Sequence, residues 1–114
     1  MSGNGVSTQE WIARNNRTPG VLALGVYTPG KTSFIEGSAP SFVPATLEKA
    51  WRAVIETISV LQLNRFPTAR FRFVYAQVFV HCERRRDGTC LGVFAQRALS
   101  ENEIDRLVTE FQSI

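Results

Sequence analysis

The hydrophobic positions of this chain follow two different periods, which together predict three helices and an antiparallel sheet. Apolar residues spaced by three and four positions are typical of helices, whereas alternation and short apolar runs are typical of strands. Helical segments begin at Ser7, Pro44 and Ser100. Strand-like segments lie at 21–28, 32–36, 69–83 and 89–96. This order predicts an α+β fold with a single antiparallel sheet, the long central helix on one face and the N- and C-terminal helices on the other.

The long helix predicted at 44–63 has an apolar face that is too wide for a simple surface helix. At about 100° per residue its apolar positions span an arc of roughly 220°, whereas a core-facing stripe usually spans little more than ~100°. The inner arc, expected to lie on the sheet, is centred on Leu47, Trp51, Val54 and Ile58. Ala53, Thr57 and Val60 form a flank without internal cover, so we expect this flank to be a subunit interface.

Both terminal helices carry the same start signal, a serine followed three residues later by a glutamate. This spacing fits the capping box, in which each side chain binds a free backbone N–H of the first turn. The pairs are Ser7 with Glu10 and Ser100 with Glu103. The predicted buried positions are Trp11 and Ile12 in the first helix and Ile104, Leu107, Val108 and Phe111 in the last. Residues 1–6 are rich in Gly, Asn and Ser and are expected to be disordered, which leaves one domain at 7–114.

The segment 69–83 allows two interpretations, one long bent strand or two strands broken near Ala76 and Gln77. Because no residue typical of a turn stands at the break, the pattern by itself favours one strand. In one strand, alternate residues point to the same face. The residues placed on one face in this way are Phe71, Phe73, Tyr75 and Phe79.

Two cysteines flank an Asp87-Gly88 turn that joins the last two strands. A two-residue turn would pair Arg85 with Cys90 and put Cys82 on the opposite face from Cys90. A three-residue loop would bring both cysteines onto one face, but diagonally. Neither geometry favours a disulfide, so we expect two reduced, structural thiols.

Composition and charge narrow the classes of function. The 114 residues suffice for one domain with a core, and the net charge of +3 is a mild basic excess. No apolar run is long enough to cross a membrane. The N-terminal segment lacks the basic and apolar regions of a signal peptide. We therefore expect a cytoplasmic protein with no membrane partner.

Side chains capable of catalysis or metal binding are sparse. His81 is the only histidine, and Cys82 next to it in a strand points to the opposite face, so the two cannot form a nucleophile pair. One histidine and two cysteines match no zinc pattern. We expect His81 to be structural, and we expect no enzyme activity, no metal and no cofactor.

One segment matches a phosphate-binding motif literally. Gly25 and Gly30, followed by Lys31 and Thr32, give the spacing G-x-x-x-x-G-K-T. In a phosphate-binding loop the lysine opens a helix that follows a strand. Here the residues after Lys31 are strand-like, and the next helix begins a dozen residues later. The context therefore disfavours nucleotide binding, and the pattern leaves open whether the match has any role.

Arginines interleaved with aromatic residues form the strongest charge feature. The possible basic surface comprises Arg70, Arg72, Arg84, Arg85 and Arg86, and the interleaved aromatics are Phe71, Phe73 and Tyr75. A sheet that exposes both kinds of residue can bind single-stranded nucleic acid, because bases stack on the aromatic rings and the arginines hold the phosphates. We favour the alternative, in which the aromatics face a helix and the arginines are exposed to solvent at a sheet edge and at a hairpin tip. The modest net charge is the reason for this preference.

The order of elements resembles the roadblock family of the dynein light-chain type, whose fold is related to longin and profilin-like domains. The resemblance rests on a short first helix with Trp11, a Thr18-Pro19-Gly20-Val21 entry into an apolar strand, the long helix, and the hairpin at 84–93 before the last helix. It spans about Ser7 to Phe111. The family has two strands where 69–83 stands, which implies a tight turn near Ala76.

The resemblance implies a non-catalytic scaffold without a cofactor. Family members are homodimers or pseudo-dimers that pair through the long helix and a strand edge, and they regulate small Ras-like GTPases or act as adaptors in motor complexes. In this sequence the implied dimer surface comprises Ala53, Thr57, Val60, Phe71, Phe73 and Tyr75. The expected partners are a second copy of the chain and a small GTPase. The alternative function is a single-stranded nucleic-acid-binding domain.

Overall fold

The strands form one five-stranded antiparallel sheet with helices on both faces, which confirms the predicted fold class. The computed structural model describes residues 7–28, 33–37, 44–63, 70–75 and 78–114, with the backbone alone for 33–34, 44, 62–63, 73 and 75. The elements are α1 (Thr8–Asn15), β1 (Val21–Tyr27), β2 (Ser33–Gly37), α2 (Pro44–Leu63), β3 (Arg70–Tyr75), β4 (Val78–Arg84), β5 (Cys90–Ala95) and α3 (Glu101–Ser113). The strand order is β2-β1-β5-β4-β3. The segment 1–6, expected to be disordered, lies outside the described residues.

The serine caps predicted for the terminal helices are both present. Ser7 Oγ accepts a hydrogen bond from the Glu10 backbone N–H at 3.1 Å. Ser100 Oγ accepts one from the Glu103 backbone N–H at 3.2 Å. Each serine side chain satisfies one of the N–H groups that have no partner inside the first turn of a helix.

Within 69–83, where the pattern favoured one long strand, the structure has two strands. The one-strand interpretation is therefore wrong. β3 and β4 pair antiparallel in a register that places Tyr75 opposite Val78, and residues 76–77 between them lie outside the described residues. Residues opposite each other in a ladder share a face. Phe71 therefore lies on the face of Cys82, while Phe79 lies on the other face, opposite Val74. The pattern failed because Ala76 and Gln77 carry no turn signal.

The β4–β5 connection is the three-residue alternative. Arg84 pairs with Cys90, the Arg85 backbone N–H donates to the Thr89 carbonyl at 2.8 Å, and Gly88 adopts φ +92°. Only glycine takes that backbone conformation without strain, so Gly88 sets the loop length. Cys82 pairs with Gly92, two residues from Cys90, so the cysteines lie diagonally on one face and are not bonded to each other.

Two apolar cores lie on opposite faces of the sheet. On one face α1 and α3 cover residues of β1 and β5. On the other, α2 covers residues of β1, β4 and β5, with Phe71 of β3 at its margin. Trp51 lies across the paired glycines Gly25 and Gly92, where a Cβ would come within 2.9 Å and 2.4 Å of its ring. These glycines leave the space that the indole ring occupies.

Candidate interaction surfaces

The outer flank of α2 is exposed, whereas its inner arc is buried. The inner residues Leu47, Trp51, Val54 and Ile58 lie in the core. On the flank, Ala53 and Thr57 are exposed, and Val60 has 56% of its surface exposed. Thr57 Oγ1 donates to the Ala53 carbonyl at 3.0 Å, so its hydroxyl is satisfied within the helix and can be desolvated at little cost. The flank therefore presents small, weakly polar groups.

The strand β3 lies at one edge of the sheet, and it holds the other predicted interface residues. Its partner is β4 on one side, and among the described strands none pairs with its other side. Such an edge carries unpaired backbone groups that can pair with another chain. Phe71 packs against the α2-side core. For Phe73 and Tyr75 the structure describes the backbone alone, so their predicted side-chain contacts lie outside it.

The hairpin arginines, predicted as a basic surface, have different environments. Arg85 Nη1 donates to the Phe111 carbonyl at 3.2 Å and to the Ile114 carbonyl at 3.0 Å, and its guanidinium lies 4.7 Å from the Phe111 ring centroid. Arg85 also pairs with Asp87 at 3.1 Å. It therefore binds the C-terminal end of α3 to the hairpin. Arg84 is half-buried, while Arg86 is exposed.

Arg70 is also engaged within the domain. Its Nε lies 2.8 Å from Glu83 Oε1, and its Nη1 lies 3.0 Å from Asp105 Oδ1. The hydrogen bond that Arg70 donates to Glu83 is the largest cause of its raised pKa. Since two carboxylates neutralise this guanidinium, Arg70 adds little positive potential to the surface.

Arg72 and Arg97 form a cluster around Phe79 that the sequence pattern missed. The guanidinium carbons lie 4.4 Å and 5.3 Å from the Phe79 ring centroid, within the range of cation–π contacts. All ten carboxylates of the sequence lie within the described residues, and none forms an ion pair with either arginine. The cluster depends on the β3–β4 register, which brings Arg72 and Phe79 to one face.

A cavity of about 350 Å³ opens beside this cluster. Its walls come from α3, as far as Val108, and from β3 and β4, and they include Arg70, Arg72, His81, Glu101, Ile104 and Val108. Arg72 belongs to both features, and the Phe79 and His81 ring centroids are 6.2 Å apart, so the cavity and the arginine cluster adjoin. We call this combined surface the α3-side groove.

The two cysteines are inert in the described environment. Burial raises the pKa of Cys82 well above its ordinary value and raises that of Cys90 to about 11. Because the thiolate is the reactive form, neither group is a nucleophile near neutral pH. Burial also lowers the pKa of His81, so its imidazole is predominantly neutral near neutral pH.

The phosphate-loop match has the wrong structural context. Gly25 lies inside β1 beneath the Trp51 ring, whereas the first glycine of such a loop follows the strand. Residues 29–32 lie outside the described residues. Among the described side chains, no three His, Cys, Asp or Glu residues cluster so as to hold a metal ion. No helix of the described residues is long and apolar enough to cross a membrane.

The arrangement of elements defines a small α+β domain in which helices lie on both faces of an antiparallel sheet. Its fold is that of a Roadblock/LC7 domain: a crystal structure of such a domain from Streptomyces avermitilis superposes with a TM-score of 0.59 at 12% identity, covering 92% of this chain and 88% of that chain. The resemblance inferred from the order of elements is thereby confirmed for the fold. No family model and no curated protein matches the sequence.

Proposed function

We propose that this chain is a non-catalytic, homodimeric interaction module. The exposed flank of α2 carries the proposal, because Ala53 and Thr57 stand four residues apart and allow a second helix to approach closely. The edge of β3 supplies a second contact, since backbone groups there can extend the sheet into the partner. A two-fold dimer would use the same patch on both copies. The fold similarity to a Roadblock/LC7 domain supports this reading.

The oligomeric state of the purified chain tests the proposal. Size-exclusion chromatography with light scattering should give a dimer at tens of micromolar. Ala53→Glu or Val60→Glu should yield a folded monomer, because each places a charge where the flanks meet. Ala45→Glu is the matched control, since Ala45 is also exposed on α2 but lies in its first turn, away from the flank. A wild-type monomer, or equal dissociation by the control, would contradict the homodimer.

A small Ras-like GTPase is the further partner that we propose, and the fold is its support. Isothermal titration calorimetry measures binding of the dimer to Ras-like GTPases from the same genome. Each GTPase is loaded with GDP or with a non-hydrolysable GTP analogue. We expect binding that depends on the nucleotide state. No heat of binding with either form at tens of micromolar would remove the GTPase from the proposal and leave the homodimer in place.

Single-stranded nucleic acid, the alternative partner, receives less support from the geometry. Arg70 and Arg85 bind carboxylates and carbonyls of the domain itself. Phe71 packs on the α2 side, away from Arg72. Stacking requires exposed rings beside free cations, and Arg70, Arg85 and Phe71 do not provide that combination. Fluorescence anisotropy with a labelled oligothymidine should show no binding at physiological salt.

A further inference from the structure

One half of the α3-side sheet face has no apolar core over it in the described part of the chain, although the same strands are covered on their other face. The core beneath α1 and α3 contains residues of β1 and β5, and among the described residues it contains none of β3 or β4. On the opposite face, Val80 and Cys82 of β4 lie in the α2-side core. Among the described residues, the α3-side groove is therefore bounded by a helix on one side only.

The groove combines a partly apolar lining with two cations at its rim that form no ion pair with a described carboxylate. Ile104 and Val108 line its interior, and Val74, next to Arg72, has 54% of its surface exposed. Arg72 and Arg97 are exposed and stack against Phe79 without a carboxylate partner among the described residues. Stacking on a ring restricts a guanidinium, so less entropy is lost when it binds an anion.

We propose that the α3-side groove docks an acidic segment of a partner protein. Its carboxylates would pair with Arg72 and Arg97, and an apolar side chain between them would enter the cavity. Arginine forms two parallel hydrogen bonds with a carboxylate, which gives both affinity and orientation. This inference rests on the proposed function only in treating the chain as an interaction module. It does not depend on whether the chain is a dimer.

Charge distribution favours a short acidic segment over nucleic acid. The α3 wall carries Glu101 beside the cavity, and Asp105 of the same helix is bound to Arg70. A polyphosphate backbone places charges along its whole length and would meet both carboxylates. A peptide can place its carboxylates at the two arginines alone. Two free cations also fall short of the six to ten phosphate contacts that a strongly salt-dependent binder makes.

Selection from a random twelve-residue peptide library against the full chain tests the proposal. We expect enriched peptides to combine Asp or Glu with Leu or Phe. Labelled copies should bind Arg72→Glu and Arg97→Glu at least about tenfold more weakly, which corresponds to about 1.4 kcal/mol. Arg86→Glu is the matched control, because Arg86 is exposed at the hairpin tip and this substitution reverses the same charge away from the groove. The His81 imidazole signals should move as the peptide is added, since His81 lines the cavity.

Several outcomes would overturn the docking site. These are a selection that enriches nothing, peptides without an acidic excess, unchanged affinity for Arg72→Glu and Arg97→Glu, or an equal loss with Arg86→Glu. Oligothymidine binding that these two variants abolish would assign the groove to nucleic acid instead. Should a charge reversal unfold the chain, Arg72→Gln and Arg97→Gln replace it, with an expected loss in the same direction. Light scattering on each variant separates failure of the groove from failure of the dimer.

Discussion

The α3-side face of the sheet has two halves that differ in cover: the core beneath α1 and α3 includes residues of β1 and β5 and, among the described residues, none of β3 or β4. Over β1 and β5, the side chains of Leu107 and Phe111 complete a core in which both are fully buried. Over β3 and β4, Arg72 and Val74 are exposed and Phe79 is half-buried. The first half shows an interior that the chain completes by itself. In the second half the Phe79 ring is only partly buried, and two guanidinium groups lie within cation–π distance of it.

The largest expected effect lies in the covered half. Phe111→Ala should lower the free energy of unfolding by about 3–5 kcal/mol, because it removes a fully buried ring that Trp11 and Arg85 contact. Phe79→Ala should cost about 1 kcal/mol or less, because that ring is half-buried and its cation contacts are exposed. Urea unfolding of both variants measures the difference. Similar costs would mean that the open half is covered in solution.

A smaller effect is expected at the boundary between the halves, where Glu83 joins α3 to β3. Its carboxylate accepts from Arg70 at 2.8 Å and from Gln112 at 2.8 Å, and the residue is 8% exposed. Glu83→Ala should cost about 1–3 kcal/mol, the usual range for a buried polar network that loses one member. Asp105→Ala should change stability by about 0.5 kcal/mol or less, because its pair with the same arginine is exposed. Equal costs in urea unfolding would contradict a boundary role for Glu83.

The cap of α3 offers a finer test, because the first turns of this helix form the wall of the groove. Ser100→Ala should cost about 1 kcal/mol by leaving the Glu103 N–H without its side-chain acceptor. Ser100→Asp should recover most of this loss, since aspartate caps as well as serine does. Thermal unfolding measures both. Ser100→Ala should also weaken binding of a selected acidic peptide to the α3-side groove. An unchanged affinity would show that the α3 wall of the groove does not depend on the Ser100 cap.

The fold was predictable where a local chemical signal exists. Both serine caps, the stripe that ends at Phe111 and the buried arc around Trp51 follow from spacing and side-chain type, and the structure confirms each of them. The division of 69–83 was not predictable, because Ala76 and Gln77 carry no turn signal. In that case the tertiary pairing of β3 with β4 outweighs the local pattern.

The groove was missed for the same reason. An alternating pattern in one strand places Phe79 on the same face as Phe71. The β3–β4 hairpin instead places Phe79 on the opposite face, together with Arg72. The charge pattern also overstated the basic surface, because sequence spacing does not reveal that Arg70 meets Glu83 and Asp105. Which arginine remains uncompensated depends on contacts between residues distant in sequence. The α2 flank, by contrast, was visible in the helical period, and its role as an interface stays a prediction.

The smallest expected effect concerns the hairpin that holds the end of α3 in the covered half. The hydrogen bond from Arg85, with another from the Thr89 backbone N–H, lowers the pKa of Asp87 from 3.8 to about 2. An acid with a lowered pKa stabilises the fold above its ordinary pKa, and this contribution is lost as the pH falls through the lowered value. Wild type should therefore melt above Asp87→Asn at pH 7, and the difference should close between about pH 4 and 2. A difference in melting temperature that persists at pH 2 would show that the Asp87 charge does not support the hairpin.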